Sequence, residues 1–396
     1  MYTFKLNYCN DCAAPAVHHI RTWIDDVFVR LPSPRLFGFD RLLARVFERL
    51  LILLGLASFK NDFDHAKIPL RSRLLIDAGE RRGMKFAVLK GPSGYTNQFR
   101  VRFNGKTTRF EGLPTAGAHA RFNEYVSDDK ERTKRMLRQG GFPTPDGASF
   151  WFFQKRKAID YAVRELGFPL VVKPRCGSVA RHVTTNIQNP EELERAIASA
   201  IRYAPEFMIE CYMAEAAVYR ITVVDFKVLA SVRQDPAHVV GDGTATIREL
   251  VLKKNSDPAR NRKGTDRVLY PLSLGDDAMS FLQEQEHTIT SIPKVGERIW
   301  LARDPFLRLG GDLVEETSRV HPETTNLIRR VAEYFDMRLV GIDVLVEDIA
   351  RPWDEQEFAV LELNSVPNIE LHHFPSSGDA QDIAGACADL LLKYYV

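Results

Sequence analysis

The hydrophobic pattern is most informative near the C-terminal end. Two short apolar runs there, Leu339-Val340-Gly341-Ile342-Asp343-Val344-Leu345-Val346 and Phe358-Ala359-Val360-Leu361-Glu362-Leu363-Asn364, predict two strands. Side chains alternate along a strand, so Glu362 and Asn364 share one face. Asp343 on a neighbouring strand could meet them there. Elsewhere the pattern predicts a helix over 71–82 stopped by Gly83, a strand over 85–89, and a hairpin over 99–110 turning at Asn104-Gly105. A helix capped by Ser127 runs to Gly140-Gly141, and Pro143 and Pro145 enforce an extended exit. A strand at 168–174 and a helix at 190–203 follow, then strands at 207–210, 219–224 and 227–233. A tight turn and a capped helix are predicted at 239–250, and two further helices over 322–335 and 380–392. The alternation reads as mixed α+β in several layers.

The two acids in apolar strands call for a reason. A buried carboxylate keeps its charge only when paired, hydrogen-bonded or bound to a cation. Asp343, Glu362 and Asn364 together form an all-oxygen set suited to Mg²⁺, with waters and phosphate oxygens as its remaining ligands. The alternative is a solvated edge carrying ordinary surface acids.

The chain has 396 residues, 45% hydrophobic and 27% charged, enough for two or three packed modules. A net charge of +2, with the bases spread along the chain, gives no nucleic-acid footprint. Five cysteines without a framework spacing argue for a reducing, cytoplasmic setting. The first 30 residues lack the apolar segment of a secretory signal, and no run is long enough to span a membrane. Residues 40–59 begin amphipathic and end as an all-round apolar run. Burial against the body of the protein or a second subunit, as in a homo-oligomer, is one reading, and contact with a membrane surface is another. Cys9 and Cys12 with His18 and His19 have a spacing compatible with zinc, although a single cysteine pair is weak evidence.

Lys173 ends an apolar strand just before Pro174 and the loop Arg175-Cys176-Gly177-Ser178, where an ammonium can reach phosphate oxygens. Lys130 and Lys134 lie one helical turn apart and can face the same anion, a solvated helix face being the default. At Glu210 an apolar strand passes into a connector, a natural slot for a flat ring.

The ordered series DKERTKRMLRQGGFPTP, FPLVVKP, FMIECYM, YRITVV, VRQDPAHVVGDGTATIRELV, NSDPARN, SIPKVGERIWL, GGDLVEETSRVHPET, VGIDVLVE and AVLELNSVPNIELHHFP resembles the ATP-grasp superfamily. It is most similar to the ATP-grasp modules of cyanophycin synthetases and bifunctional glutathione synthetases. The resemblance covers residues 126–396 and implies an ATP-grasp fold of two α+β subdomains, 126–206 and 207–396. Residues 66–125 then form a small α/β domain and residues 1–65 a helical extension. The resemblance implies that Lys130 and Lys173, or Lys134 in place of the first, contact ATP phosphates. Glu210 and the backbone of Cys211 and Tyr212 would hold adenine, and Asp343, Glu362 and Asn364 would carry two Mg²⁺ ions, Mn²⁺ being an alternative.

The chemistry implied is an ATP-dependent ligation of a carboxylate to an amine through an acyl phosphate. An amino acid or short peptide would be the acid. A noncatalytic ATP-binding homologue and a small-molecule phosphotransferase are the alternatives.

Several positions depart from the pattern. The phosphate-covering loop reads Gly177-Ser178-Val179-Ala180-Arg181-His182-Val183, with two glycines gone, which leaves Ser178, Arg181 and His182 as candidate contacts. Val218 stands where relatives carry an acid for the ribose, and Glu215 is a nearby substitute. Arg303 and Arg308 are candidates to orient a carboxylate or acyl phosphate. Arg220, Phe306, Gly310 and Gly311 are expected at the substrate.

Overall fold

The computed structural model describes residues 49–114, 129–175, 181–262 and 266–395, together with His19, Trp23 and Val46. A small antiparallel sheet is built first, from β1 (Ser58–Lys60), β2 (Lys85–Gly91), β3 (Gly94–Phe103) and β4 (Lys106–Glu111), in that order. Helix α1 (Leu70–Glu80) lies between β1 and β2 in sequence. The turn joining β3 to β4 puts Asn104 at φ 46 and Gly105 at φ 79, the left-handed pair that a two-residue hairpin demands. Because β1 pairs with β2, this sheet reaches back across the expected limit at residue 65.

A second sheet follows. Helix α2 (Lys130–Gln139) leads into β5 (Gly147–Trp151) and α3 (Lys155–Tyr161). Then come β6 (Leu170–Pro174), β7 (Thr184–Ile187), α4 (Pro190–Tyr203) and β8 (Glu206–Cys211), with strand order β5-β8-β6-β7. Leu193, Ile197 and Ala200 from α4 pack on Leu170, Val172, Phe207 and Ile209, a face that the alternation of the strands supplies.

The third sheet carries the two acids. It uses β9 (Ala217–Val224), β10 (Val228–Asp235), β13 (Asp312–Glu315), β14 (Leu339–Val346) and β15 (Phe358–Asn364) in the order β13-β10-β9-β14-β15. Between β10 and β13 the chain inserts β11 (His238–Val240), α5 (Ile247–Asn255), α6 (Asp276–Glu284) and β12 (Arg298–Trp300). Thr246 and Glu249 close a capping box on α5, as the sequence predicts. Buried Asp312 ties this insert to the sheet: Arg260 of the NSDPARN run, Lys254 at 2.5 Å and His238 at 3.6 Å all converge on it. Helix α7 (Pro322–Tyr334) covers the sheet with Leu327, Ile328 and Val331.

Short α8 (Glu370–His373) and the last helix, α9 (Ile383–Tyr394), complete the chain. Ile383, Cys387 and Leu391 of α9 share one core with Leu75 and Ile76 of α1 and with Phe99 and Val101. The last helix therefore locks the small sheet to the rest. Sequence reading missed β1, β5, β7, β11, β12 and β13. All but one of these have three or four residues, too short for a periodicity to declare itself.

Candidate nucleotide and metal site

Strands β14 and β15 pair so that Gly341 faces Asn364 and Asp343 faces Glu362, with the register slipping just after Asp343. The bulge re-aims the strand beside the acids. Asn364 Nδ2 lies 3.3 Å from Glu362 Oε1 and 3.5 Å from Asp343 Oδ2, so the three oxygen-bearing residues converge. On the other side β9 sets Arg220 opposite Asp343. Its guanidinium makes a two-point fork, Nε to Oδ1 and Nη2 to Oδ2 at 2.8 Å. Arg220, expected at the substrate, is paired here with the aspartate.

Burial raises the Asp343 carboxyl above the usual range, against the pull of Arg220. Burial also acts on Glu362, but there the charges of Lys130, Arg220 and Lys173 and a hydrogen bond with Asp343 prevail and hold it low. The pair therefore divides its charge unevenly, Glu362 being the firmer anion. Among the described residues no group of three His, Cys, Asp or Glu side chains stands ready for a metal. Two carboxylates and the Asn364 amide still fit a hard cation, because the amide oxygen and nitrogen exchange places on a flip. Asp343 already has Arg220 as a positive neighbour, so a cation here would share that carboxylate with it.

The lysines meet on a different carboxylate. Asp129, and not Ser127, caps α2 by accepting from the Arg132 N–H, and Ser127 lies outside the described residues. One turn in, Lys134 is 1% exposed with Nζ 2.8 Å from Glu210 Oε1. Lys173 Nζ is 2.8 Å from the other oxygen, Oε2. Burial lowers Lys134 to about 8, with the Glu210 charge opposing the shift. Burial would raise Glu210, yet the two ammonium charges bring it down to about 2. Both oxygens of Glu210, expected at adenine, face lysines here, and Lys134 is closed off from solvent. Lys130 and Lys173 both act on Glu362, which links the lysines to the acids.

The adenine slot also changes. The Cys211 N–H donates to the Asp146 carbonyl and the Tyr212 N–H to the Pro169 carbonyl, both at 3.0 Å, so neither amide is open to a base. Glu215 is exposed nearby, and Ser178 lies outside the described residues. Arg181 is half-buried, whereas His182 turns away from any phosphate role. It is buried at φ 53, bonded to the Ser199 hydroxyl at 3.0 Å and stacked on Tyr203. Its neighbour His19 packs edge-on against both rings, and the zinc partners Cys9, Cys12 and His18 lie outside the described residues.

The substrate candidates are dispersed. Arg303 pairs with Glu284 and lies over the Phe281 ring, which ties it to α6 rather than to the acids. Arg308 sits 5.8 Å from the Phe306 ring. Gly310, at φ 97, and Gly311 are needed for close packing: a Cβ would meet Leu272 at 2.8 Å and the Asp235 carbonyl at 2.6 Å. Two groups escaped the sequence reading. Arg175 bonds both oxygens of the helix cap Asp129 and also Glu206. Asp304 accepts from the Thr185 hydroxyl at 2.6 Å, bridging β7 and the loop before β13. A polar pair 119 residues apart leaves no sequence signal.

No family model matches the chain. It is 35% identical over 264 residues to the cyanophycin synthetase of Trichormus variabilis, covering 66% of this chain and 29% of that protein. It is 26% identical over 348 residues to the glutathione biosynthesis bifunctional protein GshAB of Clostridium perfringens, covering 85% of this chain and 43% of that protein. The second share exceeds what residues 126–396 can supply, so the likeness extends toward the small sheet. Among solved structures, the bifunctional glutathione synthetase from Pasteurella multocida superposes with a TM-score of 0.64 at 24% identity, over 83% of this chain and 44% of that one. The chain spans less than half the length of each of these relatives.

Proposed function

From the ATP-grasp fold of this chain we propose an ATP-dependent carboxylate–amine ligase that joins an amino acid or short peptide to an amine, releasing ADP and phosphate. The observation that carries this is the convergence of Asp343, Glu362 and Asn364, with Lys130 and Lys173 acting on Glu362. The named relatives, a cyanophycin synthetase and glutathione synthetases, agree with a ligase. The cytoplasm is the proposed setting, in keeping with the free thiols of Cys211 and Cys387.

In this reading Lys130 and Lys173 neutralise the phosphate oxygens, and Glu210 holds Lys173 in place from below. Asp343, Glu362 and Asn364 would hold Mg²⁺, which supplies charge neutralisation for phosphoryl transfer. Arg220 keeps Asp343 oriented. The substrate carboxylate attacks the γ-phosphorus and ADP leaves. The amine then attacks the acyl carbon and phosphate departs with the bonding electrons, the amine's proton being lost. The hydrogen bond between Thr185 of β7 and Asp304 would help keep water from the acyl phosphate. Arg308 is the remaining candidate for the acid's own carboxylate.

Phosphate release from ATP and Mg²⁺, screened against pairs of amino acids with mass spectrometry of the product, tests the proposal. The expected result is release that depends on both partners and is abolished in Glu362→Ala. Failure of the wild-type chain to bind ATP in calorimetry would overturn it.

A further inference from the structure

We propose that the small N-terminal sheet, with the helix end leading into it, is a docking surface for an anionic lipid bilayer. Residues 49–53 are helical, and the chain turns through Gly55 at φ 72 into β1. The N–H groups of Leu56 and Ala57 both donate to the Leu51 carbonyl, at 2.8 and 3.1 Å, which fixes the turn. Leu53, Leu54 and Leu56 are left 83%, 62% and 54% exposed, beside Leu50 at 48%. Single apolar residues on a surface are ordinary, but four leucines within two turns form a patch. The expected burial of this run against the body of the protein is therefore not what these leucines do.

Three residues beyond Leu56, at most about 10 Å of chain, stands Phe59. The guanidinium groups of Arg100 and Arg109 each lie 4.7 Å from its ring. The register sets Arg100 directly opposite Arg109, and Lys85 opposite Arg102, on one face of the sheet. Like charges placed directly across a ladder, as Lys85 and Arg102 are, cost stability unless an anion lies over them. Lys85, Arg100 and Arg102 form no ion pair among the described residues. The acid on this face, Glu111, is held at one end by Gln98.

The two features constrain each other. Leucines alone would suit a second copy of the chain, and bases alone would suit a nucleic acid. Leucines adjoining a fixed row of bases match an apolar layer lying beneath headgroup phosphates. No helix among the described residues is long and apolar enough to cross a membrane, so the contact is interfacial.

Co-sedimentation of the full chain with phosphatidylcholine vesicles, with and without phosphatidylglycerol, tests this. Binding is expected only to the anionic vesicles and is weakened by salt. Arg100→Glu with Arg102→Glu should weaken it about tenfold or more, and the new Glu opposite Arg109 keeps the sheet paired. Leu53→Asp with Leu54→Asp, at exposed positions, should weaken it similarly. Absence of vesicle binding, or equal binding by the charge-reversed variant, overturns the proposal. So does binding of duplex DNA in place of vesicles, or self-association that the leucine variant abolishes. ATP binding is read separately, so this outcome is independent of the ligase proposal.

Discussion

Glu210 lies between the ammonium groups of Lys134 and Lys173, all three largely out of water, and its charge is what makes the arrangement tolerable. Removing that charge leaves two like charges facing each other in a low dielectric. Glu210→Gln should therefore cost about 3–5 kcal/mol, read as a lower urea midpoint, whereas Lys134→Met leaves a neutral Lys173–Glu210 pair and should change stability far less. Equal effects from the two variants would show that the carboxylate is not the keystone.

Asp343 gives the pH counterpart. Burial raises its carboxyl, so it takes up a proton while ordinary aspartates are still ionised, and the oxygens that a cation needs lose their charge early. Because the folded state holds that proton more tightly than the unfolded chain, its contribution to stability falls as pH rises through the window between the ordinary and the raised value. In the cation-free chain the ionised form, which turnover needs, is therefore lost on acidification above the ordinary aspartate range. Arg220 opposes the shift, so Arg220→Met should displace the acid limb of the kcat/KM profile to higher pH. An unmoved limb would dissociate Asp343 from the rate.

At the scale of elements, α2 is useful only if its start is held where Lys130 acts on Glu362 and Lys134 meets Glu210. The cap does this twice over. Asp129 accepts from the Arg132 N–H and also takes both donors of Arg175 at 2.9 and 2.6 Å, while Arg175 reaches Glu206 on β8. The helix start is thereby tied to the strand that carries Glu210. Arg175→Met should leave Asp129 as a cap but cut the tie, raising the KM for ATP about tenfold or more with a smaller change in kcat. An unchanged KM would mean that the lysines are placed by the helix alone.

The sequence made the long elements readable, because α4 and α7 show a clear apolar stripe and β14 and β15 a run of consecutive buried positions. Period-two geometry also set Glu362 and Asn364 on one face, whereas Asp343 could be placed with them only by assuming that its strand is the neighbour, as the pairing of β14 with β15 makes it. Arg175 went unread because an arginine after a strand is ambiguous until its two distant acids are known. Glu210 was assigned to a ring slot because a strand-to-connector transition says nothing about which side chains lie beneath it.

On the scale of the whole molecule, the second and third sheets are linked by the action of Lys173 on Glu362 and by one polar contact far along the chain. Thr185 on β7 donates to Asp304, whose carboxyl is raised chiefly by burial and eased by this same hydroxyl. The bond joins a strand of one sheet to the loop that enters β13 of the other, so it counts toward closure rather than toward the folding of either part. Replacing Thr185 by Val keeps the shape and removes the donor, leaving a buried carboxylate unsatisfied at a cost of about 1–3 kcal/mol. The protein can avoid that cost by letting water in, which means parting the sheets. Thr185→Val should therefore raise the KM for ATP several-fold, speed unproductive ATP hydrolysis relative to ligation, and enlarge the radius of gyration measured by X-ray scattering with nucleotide bound. Asp304→Asn, which can still accept from Thr185, should retain most of the closure. If both variants behave like the wild type in scattering and in coupling, closure rests on contacts other than this pair.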